Sequence, residues 1–326
     1  MPPWRPACRR DAKMPHTEPP VSGLPMAEPL KPAYTGRFAP SPTGPLHLGS
    51  LVAAVISWLD ARAHGGTWRV RMEDLDPPRE EPGAADRILR TLETHGLYWD
   101  GPVLYQSTRL KAYADAMQHL REQGWAYDCG CTRREIAALA RQGLEGPVYP
   151  GTCRQGLTAG KSPRALRVRT HDDPICFNDR AQGEVCHQLA SQIGDFVIRR
   201  ADGLTAYQLA VVVDDAFQGI THVVRGIDLL ASTPRQIYLQ SLLGYSTPIY
   251  LHHPVVMDQQ GAKLSKQTHA PAVDDETPVE NLLKVMDFLG LDGGEPGAGV
   301  EEVLARALAG YTPPDSPLPS RERSRG

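Results

Sequence analysis

The feature that most constrains the fold is an alternation of strand, loop and helix signals along the middle of the chain. Short strands are predicted at 35–38, 67–72 and 222–224, and helices at 47–63, 82–95 and about 234–243. Segments 194–200 and 205–213 are predicted to be strands or buried helices. Such alternation is typical of a doubly wound, Rossmann-like α/β sheet, which binds ligands at the carboxyl ends of its strands.

The ends of the chain and one internal stretch depart from this pattern. Residues 1–33 are rich in Pro and polar residues and are predicted to be a disordered extension, with Met14 or Met26 as alternative starts. The stretch 127–188 holds five cysteines and many turn residues, which indicates an insertion between two halves of the sheet. The predicted divisions are 1–33 extension, 34–126 first half, 127–188 insertion, 189–250 second half, 251–311 loop and helical C-terminal part, and 312–326 disordered tail.

Composition excludes several classes of protein. The net charge of −3 and pI of about 6.4 are not those of a general nucleic-acid binder, so any RNA contact must use local basic patches. An apolar run of membrane-spanning length and a secretory signal are both missing, so a cytoplasmic location is expected. In that reducing compartment, six cysteines favour metal ligation over a disulfide scaffold.

The segment GRFAPSPTGPLHLGS, residues 36–50, predicts a strand, a rigid Pro/Gly turn and a helix N-terminus. Backbone N–H groups at a helix start attract phosphate. Gly49 would admit a nucleotide close to the first turn, and His47 would hydrogen-bond a phosphate oxygen. Taken alone, His47 and Gly49 fit an ordinary surface loop as well.

The whole string resembles the HIGH signature of class I aminoacyl-tRNA synthetases, in the form used by the glutamyl subgroup. The match continues in RMEDLD at 71–76, and KLSKQ at 263–267 resembles the KMSKS loop. The resemblance implies ATP-dependent activation of glutamate, with Mg²⁺ accompanying the ATP. The resemblance implies that His47 and Gly49 contact ATP and that Lys263 and Lys266 bind its phosphates. Lys266 is the principal catalytic candidate.

The resemblance also implies a glutamate pocket. The residues that match the family's amino-acid contacts are Arg37, Phe38, Ala39, Pro40, Ser41, Glu73, Tyr207 and Arg225. Arginine suits a carboxylate because it pairs bidentately and stays charged. Arg225 favours glutamate, since glutaminyl relatives lack an arginine there, and Glu73 is expected near the ammonium. Val211 departs from the polar residue of some full-length glutamyl enzymes, and Asp214 and Asp215 are expected to support the pocket structurally.

Three cysteines, Cys129, Cys131 and Cys153, have the spacing of zinc ligands and need a fourth partner. Spacing alone allows His171 or Cys176. A resemblance to the Cys-x-Cys…Tyr-x-x-x-Cys pattern of the short glutamyl-queuosine enzymes implies Tyr149 instead. Four protein ligands would make one Zn²⁺ structural, fixing the insertion that faces the RNA. Cys176 and Cys186 are predicted to be ordinary buried residues.

The same resemblance implies the acceptor of the glutamate. About 60 residues follow Lys266, too few for the anticodon-binding region of full-length glutamyl enzymes. The short enzymes activate glutamate without tRNA and attach it to the queuosine base of tRNA(Asp); we expect this activity, in a monomer. The alternatives are a truncated glutamyl-tRNA synthetase that charges a tRNA 3′ end, and a non-catalytic zinc-containing RNA-binding paralogue.

Overall fold

The computed structural model describes residues 33–157, 160–257, 271–295 and 297–314. The strands are β1 (Thr35–Phe38), β2 (Thr67–Met72), β3 (Leu104–Tyr105), β4 (Ala126–Cys129), β5 (Gln142–Gly143), β6 (Gly146–Pro147), β7 (Ala165–Val168), β8 (Ile175–Asp179), β9 (Gly183–His187), β10 (Val197–Arg199), β11 (His222–Gly226) and β12 (Ile249–His253). The helices are α1 (Leu48–Ala63), α2 (Ala84–Thr94), α3 (Leu110–Glu122), α4 (Arg133–Leu139), α5 (Leu189–Gln192), α6 (Tyr207–Phe217), α7 (Thr233–Leu243), α8 (Pro278–Leu289) and α9 (Val300–Gly310).

Parallel strands form the centre of the molecule. Strand β1 pairs with β2, and β2 with β3, all in parallel. Strand β11 pairs in parallel with β12, which pairs in parallel with β8. The Thr221 N–H donates to the Thr35 carbonyl at 2.9 Å, so the start of β11 lies beside the start of β1. The predicted α/β class is confirmed.

Helix α1 is almost uniformly apolar because it is buried on several sides. It packs on β1, β2 and β11 and also contacts α8 and α9. Its Leu51 and Leu59 share one core with Trp68 of β2 and Met286 of α8. Helices α8 and α9 of the predicted helical C-terminal part therefore cover α1. Within the described ranges, no helix has the length and apolar character needed to cross a bilayer.

The segment predicted at 205–213 as strand or buried helix is helical. Helix α6 continues through Asp214 and Asp215, so these carboxylates lie within a helix. Tertiary packing selects the helix: its run of valines is buried against α3 and α7, where helical periodicity fills the core.

Within the described residues, the stretch 127–188 contributes to three sheets, the smallest being the antiparallel pair β5–β6. Strand β7 lies between β4 and β10 in an antiparallel sheet. Strands β8 and β9 instead form an antiparallel hairpin that joins β12. This hairpin lies inside the predicted insertion but belongs to the central sheet, and the domain boundaries given above remain predictions.

The prediction that Cys176 and Cys186 are ordinary buried residues is wrong. Both are exposed, and they lie directly opposite each other on β8 and β9, joined as a disulfide. The alternation of side chains along a strand turns both to the open face of the hairpin. The sequence could not show this because cross-strand register is set by the fold.

A buried carboxylate on α1 holds three distant segments together. Asp60 accepts hydrogen bonds from Tyr34 at 2.5 Å, from both terminal nitrogens of Arg180 at 2.7 and 2.9 Å, and from Tyr311 at 3.0 Å. Burial alone would raise the pKa of Asp60, but the hydrogen bonds and charge of Arg180 outweigh it and lower the pKa. Asp60 therefore joins the segment before β1, the β8–β9 turn and the segment after α9.

Replacing Asp60 with Asn should lower the free energy of unfolding by about 3 kcal/mol, because the Arg180 guanidinium would be left buried without its counter-charge. The Asp60 contribution should be full above its ordinary pKa of 3.8 and disappear as the pH falls through the lowered value. Denaturant unfolding of both proteins at several pH values measures this. Asp115→Asn, at an exposed ion pair with Lys111, is the control and should change stability by less than about 0.5 kcal/mol. Equal losses in the two variants would contradict the role of Asp60.

Candidate active site

A cleft of about 280 Å³ opens at the carboxyl ends of β1 and β11. The chain leaves β1 towards β2 on one side, while β11 and β12 lie on the other, which makes this a topological switch point of the kind that binds ligands. The cleft is lined by Arg37, Phe38, Ala39, Pro40, Ser41, Thr43, Leu46, His47, Gly49, Ser50, Ala53, Glu73, Tyr207, Val224, Arg225, Gly226, Asp228, Leu229, His253, Val255 and Val256.

The structure brings together the eight residues predicted to contact glutamate and the two residues predicted to contact ATP, His47 and Gly49. All ten line this cleft, although they come from β1 and the loop after it, the start of α1, the segment after β2, the start of α6, and β11. Lys263 and Lys266 lie outside the described residues. Val211 is buried in the core of α6 and does not line the cleft.

The N-terminus of α1 points into the cleft. His47 is its N-cap: the Nδ1 atom accepts from the Ser50 N–H at 3.3 Å. Val273 donates its N–H to the Leu46 carbonyl at 2.8 Å, and Ala272 forms a bridge with His47. The chain on the far side of 258–270 therefore returns to this helix start, while Val256 on the near side lines the cleft.

Buried charges form the floor of the cleft. Asp215 accepts from Arg71 at 2.7 Å and from Arg37 at 3.3 Å, and Arg71 also contacts Glu73 at 3.4 Å. Burial would raise the pKa of Asp215, but the charges of Arg37 and Arg71 lower it. Burial dominates for Glu73 and raises its pKa. Asp215 thus neutralises arginines that would otherwise repel each other, which agrees with the expected structural role.

Asp214 has a separate structural role. It faces away towards α3, where it accepts from Arg109 at 2.6 Å, from Tyr113 at 2.6 Å and from Gln106 at 2.9 Å. These contacts fix α6 against α3 and the turn before it. Adjacent carboxylates on one helix therefore serve two different interfaces.

Arg225 is held in place on three sides. Its Nε–H donates to His252 Nε2 at 3.1 Å, one terminal nitrogen donates to Thr233 Oγ1 at 2.8 Å, and the other to the Tyr207 hydroxyl at 3.4 Å. His252 in turn contacts Asp179. Neither His252 nor Asp179 was predicted, because each becomes meaningful only when β12 and β8 pair.

The insertion gathers the cysteine cluster. The Sγ atoms of Cys129, Cys131 and Cys153 all lie within 4.8 Å of one another. The Tyr149 hydroxyl is 3.4 Å from Cys129 Sγ and 3.7 Å from Cys131 Sγ. Two thiolates on one tetrahedral zinc are roughly 3.8 Å apart, so the donor set fits that geometry.

The two other residues allowed by spacing are elsewhere. His171 is half exposed, lies 3.2 Å from Asp173 and packs edge-on against Tyr238. Cys176 is paired with Cys186. Among the described residues, Tyr149 is the side chain placed with the three thiols as the resemblance implied.

An arginine lies over the cluster. The Arg167 guanidinium is 4.0 Å from the Tyr149 ring centroid. Burial would raise the pKa of Cys129, but hydrogen bonds with Tyr149 and the Cys131 backbone and the charge of Arg167 lower it. Burial raises the pKa of Tyr149. A cation bound by the three thiols and Tyr149 would have to offset the free-energy cost of ionising the buried Tyr149 hydroxyl, as a metal ion does.

Known proteins match both the sequence and the fold. A family model described as tRNA synthetases class I (E and Q), catalytic domain, matches residues 34–298. The glutamyl-Q tRNA(Asp) synthetase of Dechloromonas aromatica is 58% identical over 278 residues, which are 85% of this chain and 90% of that protein. The protein of the same name from Thiobacillus denitrificans is 58% identical over 277 residues, 84% of this chain and 92% of that protein.

Solved structures agree on the fold. A glutamate tRNA ligase from Elizabethkingia meningosepticum, in complex with its amino acid, superposes with a TM-score of 0.68 at 23% identity. That match covers 87% of this chain and 66% of the ligase, so the chain spans about two thirds of its length. The chain therefore belongs to the class I tRNA synthetases of the glutamate and glutamine group and, within it, to the family of the glutamyl-Q tRNA(Asp) synthetases.

Proposed function

We propose that this protein activates L-glutamate with ATP to glutamyl-adenylate and transfers the glutamyl group to the queuosine base in the anticodon loop of tRNA(Asp). The observation that carries the proposal is that one cleft joins the start of α1 to a set of buried arginines and Glu73. Relatives that share 58% of their residues carry the corresponding name.

Activation is attack by a glutamate carboxylate oxygen on the α-phosphate of ATP, with pyrophosphate leaving. Negative charge spreads over the phosphates, so the protein acts mainly by positioning and by electrostatic stabilisation. The backbone N–H groups at the start of α1, with His47 and Gly49, would hold the nucleotide. Lys263 and Lys266 are proposed to bind the phosphates, with Mg²⁺ accompanying ATP.

Recognition of glutamate requires opposite charges at its two ends. Arg225 and Arg37 are proposed to bind carboxylate, and Glu73 to bind the ammonium. Arg37 also contacts Asp215, so its guanidinium is already oriented when substrate arrives. Burial raises the pKa of Glu73 although Arg71 lies 3.4 Å away, so a substrate ammonium would add positive charge that favours the ionised carboxylate.

Transfer needs a hydroxyl of queuosine to attack the adenylate carbonyl. The nucleophile comes from the RNA, so the protein needs only to place it beside the adenylate. Single-stranded loops expose bases for such recognition. The insertion is the proposed contact for that loop.

The acceptor is tested by incubating the protein with labelled glutamate, ATP and tRNA(Asp) that contains or lacks queuosine. We expect label only on the queuosine-containing tRNA, and we expect it to survive removal of the 3′ adenosine. Labelling of tRNA(Glu) ends would indicate a truncated glutamyl-tRNA synthetase. Failure of glutamate to support ATP–pyrophosphate exchange would exclude activation, leaving an RNA-binding role.

Arg225→Lys should raise the KM for glutamate in pyrophosphate exchange by about 100-fold, because an ammonium cannot keep the forked contacts of a guanidinium. The KM for ATP should change little. Lys111→Ala, on the exposed face of α3, is the control and should leave both constants unchanged. A loss confined to kcat, with an unchanged KM for glutamate, would contradict the role of Arg225.

A structural zinc ion is proposed at Cys129, Cys131, Tyr149 and Cys153. A closed set of four ligands would stiffen the insertion and leave no open position for catalysis. Arg167 above the Tyr149 ring would offset the negative charge of the bound thiolates and phenolate. Removal of zinc should then impair transfer to RNA more than adenylate formation.

Tyr149→Phe should weaken zinc binding by about tenfold or more in competition with a chelating dye, since one ligand is lost. Tyr127→Phe is the matched control: Tyr127 packs in the same cluster, but its hydroxyl donates to Asp195 at 2.5 Å. Cobalt substitution should show tetrahedral absorption bands in the control and altered bands in Tyr149→Phe. Identical zinc affinity in the two variants would exclude Tyr149 as a ligand.

A further inference from the structure

A buried chain of side chains extends from the β8–β9 turn to Arg225. Asp179 ends β8, His252 lies on β12, and both are fully buried. Asp179 Oδ2 lies 2.5 Å from His252 Nδ1, and His252 Nε2 lies 3.1 Å from Arg225 Nε. The two strands meet where Tyr250 pairs with Asp179, which brings residues 73 positions apart into contact.

We propose that Asp179 and His252 are positioning residues that fix the guanidinium of Arg225 for glutamate, by locking the imidazole in the tautomer protonated at Nδ1. This inference rests on the proposed function of Arg225. The residues do not touch the substrate themselves, and they act through Arg225.

The contacts of Asp179 determine which imidazole nitrogen of His252 carries the proton. Asp179 Oδ1 accepts the backbone N–H groups of Ala181 at 3.0 Å, Gln182 at 2.9 Å and His252 at 3.2 Å. With that oxygen occupied, Oδ2 is left to face the imidazole. An ionised carboxylate can only accept, so His252 Nδ1 must carry the proton.

The contact with Arg225 independently requires the same tautomer of His252. A guanidinium has only donors, so the atom facing its Nε–H must accept, and that atom is His252 Nε2. Thr233 Oγ1 lies 3.1 Å from the same nitrogen and accepts from Arg225 at 2.8 Å. These contacts leave N–H donors on the terminal nitrogens of Arg225 for a bound carboxylate.

The substitution Asp179→Asn tests whether Asp179 fixes the tautomer of His252. The amide oxygen would stay with the three backbone donors, which turns the amide NH₂ towards His252 Nδ1. The imidazole would then have to accept at Nδ1 and carry its proton on Nε2, opposing the Nε–H of Arg225. We expect the KM for glutamate to rise about tenfold, with the KM for ATP within about threefold of the original protein.

Two substitutions of His252 separate positioning from packing. Gln places an acceptor near the position of Nε2, whereas Asn places a donor near the position of Nδ1 and nothing towards Arg225. His252→Gln should keep the KM for glutamate within about threefold, and His252→Asn should raise it about tenfold. In the His252→Gln background, adding Asp179→Asn should not raise the KM for glutamate further, because there is no imidazole whose tautomer could change.

The tautomer itself is measured by long-range ¹H–¹⁵N correlation of imidazole nitrogens, with the His252 signals assigned by their loss in His252→Gln. Protonation at Nδ1 in the original protein and at Nε2 in Asp179→Asn is expected. Protonation at Nε2 in the original protein would overturn the proposal, as would equal KM increases in the Gln and Asn variants. This measurement needs no substrate, so a failure of glutamate activation in the unmodified protein is recognised separately.

Discussion

The pairing of Asp215 with Arg37 and Arg71 is the constraint on which the cleft depends. Guanidinium groups cannot be gathered in a buried site unless a carboxylate offsets their mutual repulsion and loss of hydration. Asp215 does this from α6, contacting Arg71 at 2.7 Å and Arg37 at 3.3 Å. The contact links both β1 and β2 to α6 and so fixes the distance across the floor of the cleft. The two sides of a substrate pocket are thereby built before any substrate binds.

The remaining polar contacts attach distant parts of the chain to this floor. Asp60 joins α1 to the β8–β9 turn and to the segment after α9. Asp179, the last residue of β8, connects the same hairpin to His252 and Arg225. The hairpin therefore supports the cleft as well as the edge of the sheet. A segment that appears in the sequence as part of an insertion thus belongs to the catalytic sheet.

The cysteine cluster follows a different physical rule from the cleft. In the cleft, protein charges compensate one another, and Arg225 retains donors for a ligand. In the cluster, three thiols and a phenol are all potential anions, and the Arg167 guanidinium stacks on the Tyr149 ring. A divalent metal would supply the missing positive charge and explain why acidic donors converge in a small buried space. The proposed division of labour, with charge recognition in the cleft and rigidity in the insertion, follows from this contrast.

The sequence by itself determined the α/β class, the strand at 67–72 and the helix after His47, because these depend on local periodicity and on contiguous motifs. The resemblance of those motifs to a known family supplied ten of the residues that line the cleft. Spacing alone left His171 and Cys176 open as a fourth metal ligand, the resemblance implied Tyr149, and the prediction for Cys176 and Cys186 was wrong. Only the tertiary structure shows that strand register places the two cysteines opposite each other and that the Tyr149 hydroxyl lies 3.4 Å from Cys129 Sγ, because both depend on how distant segments pack. The contact between Asp179 and His252 likewise spans 73 residues and has no local sequence pattern. Local order is encoded by neighbouring residues, whereas the partners of buried charges are chosen by packing.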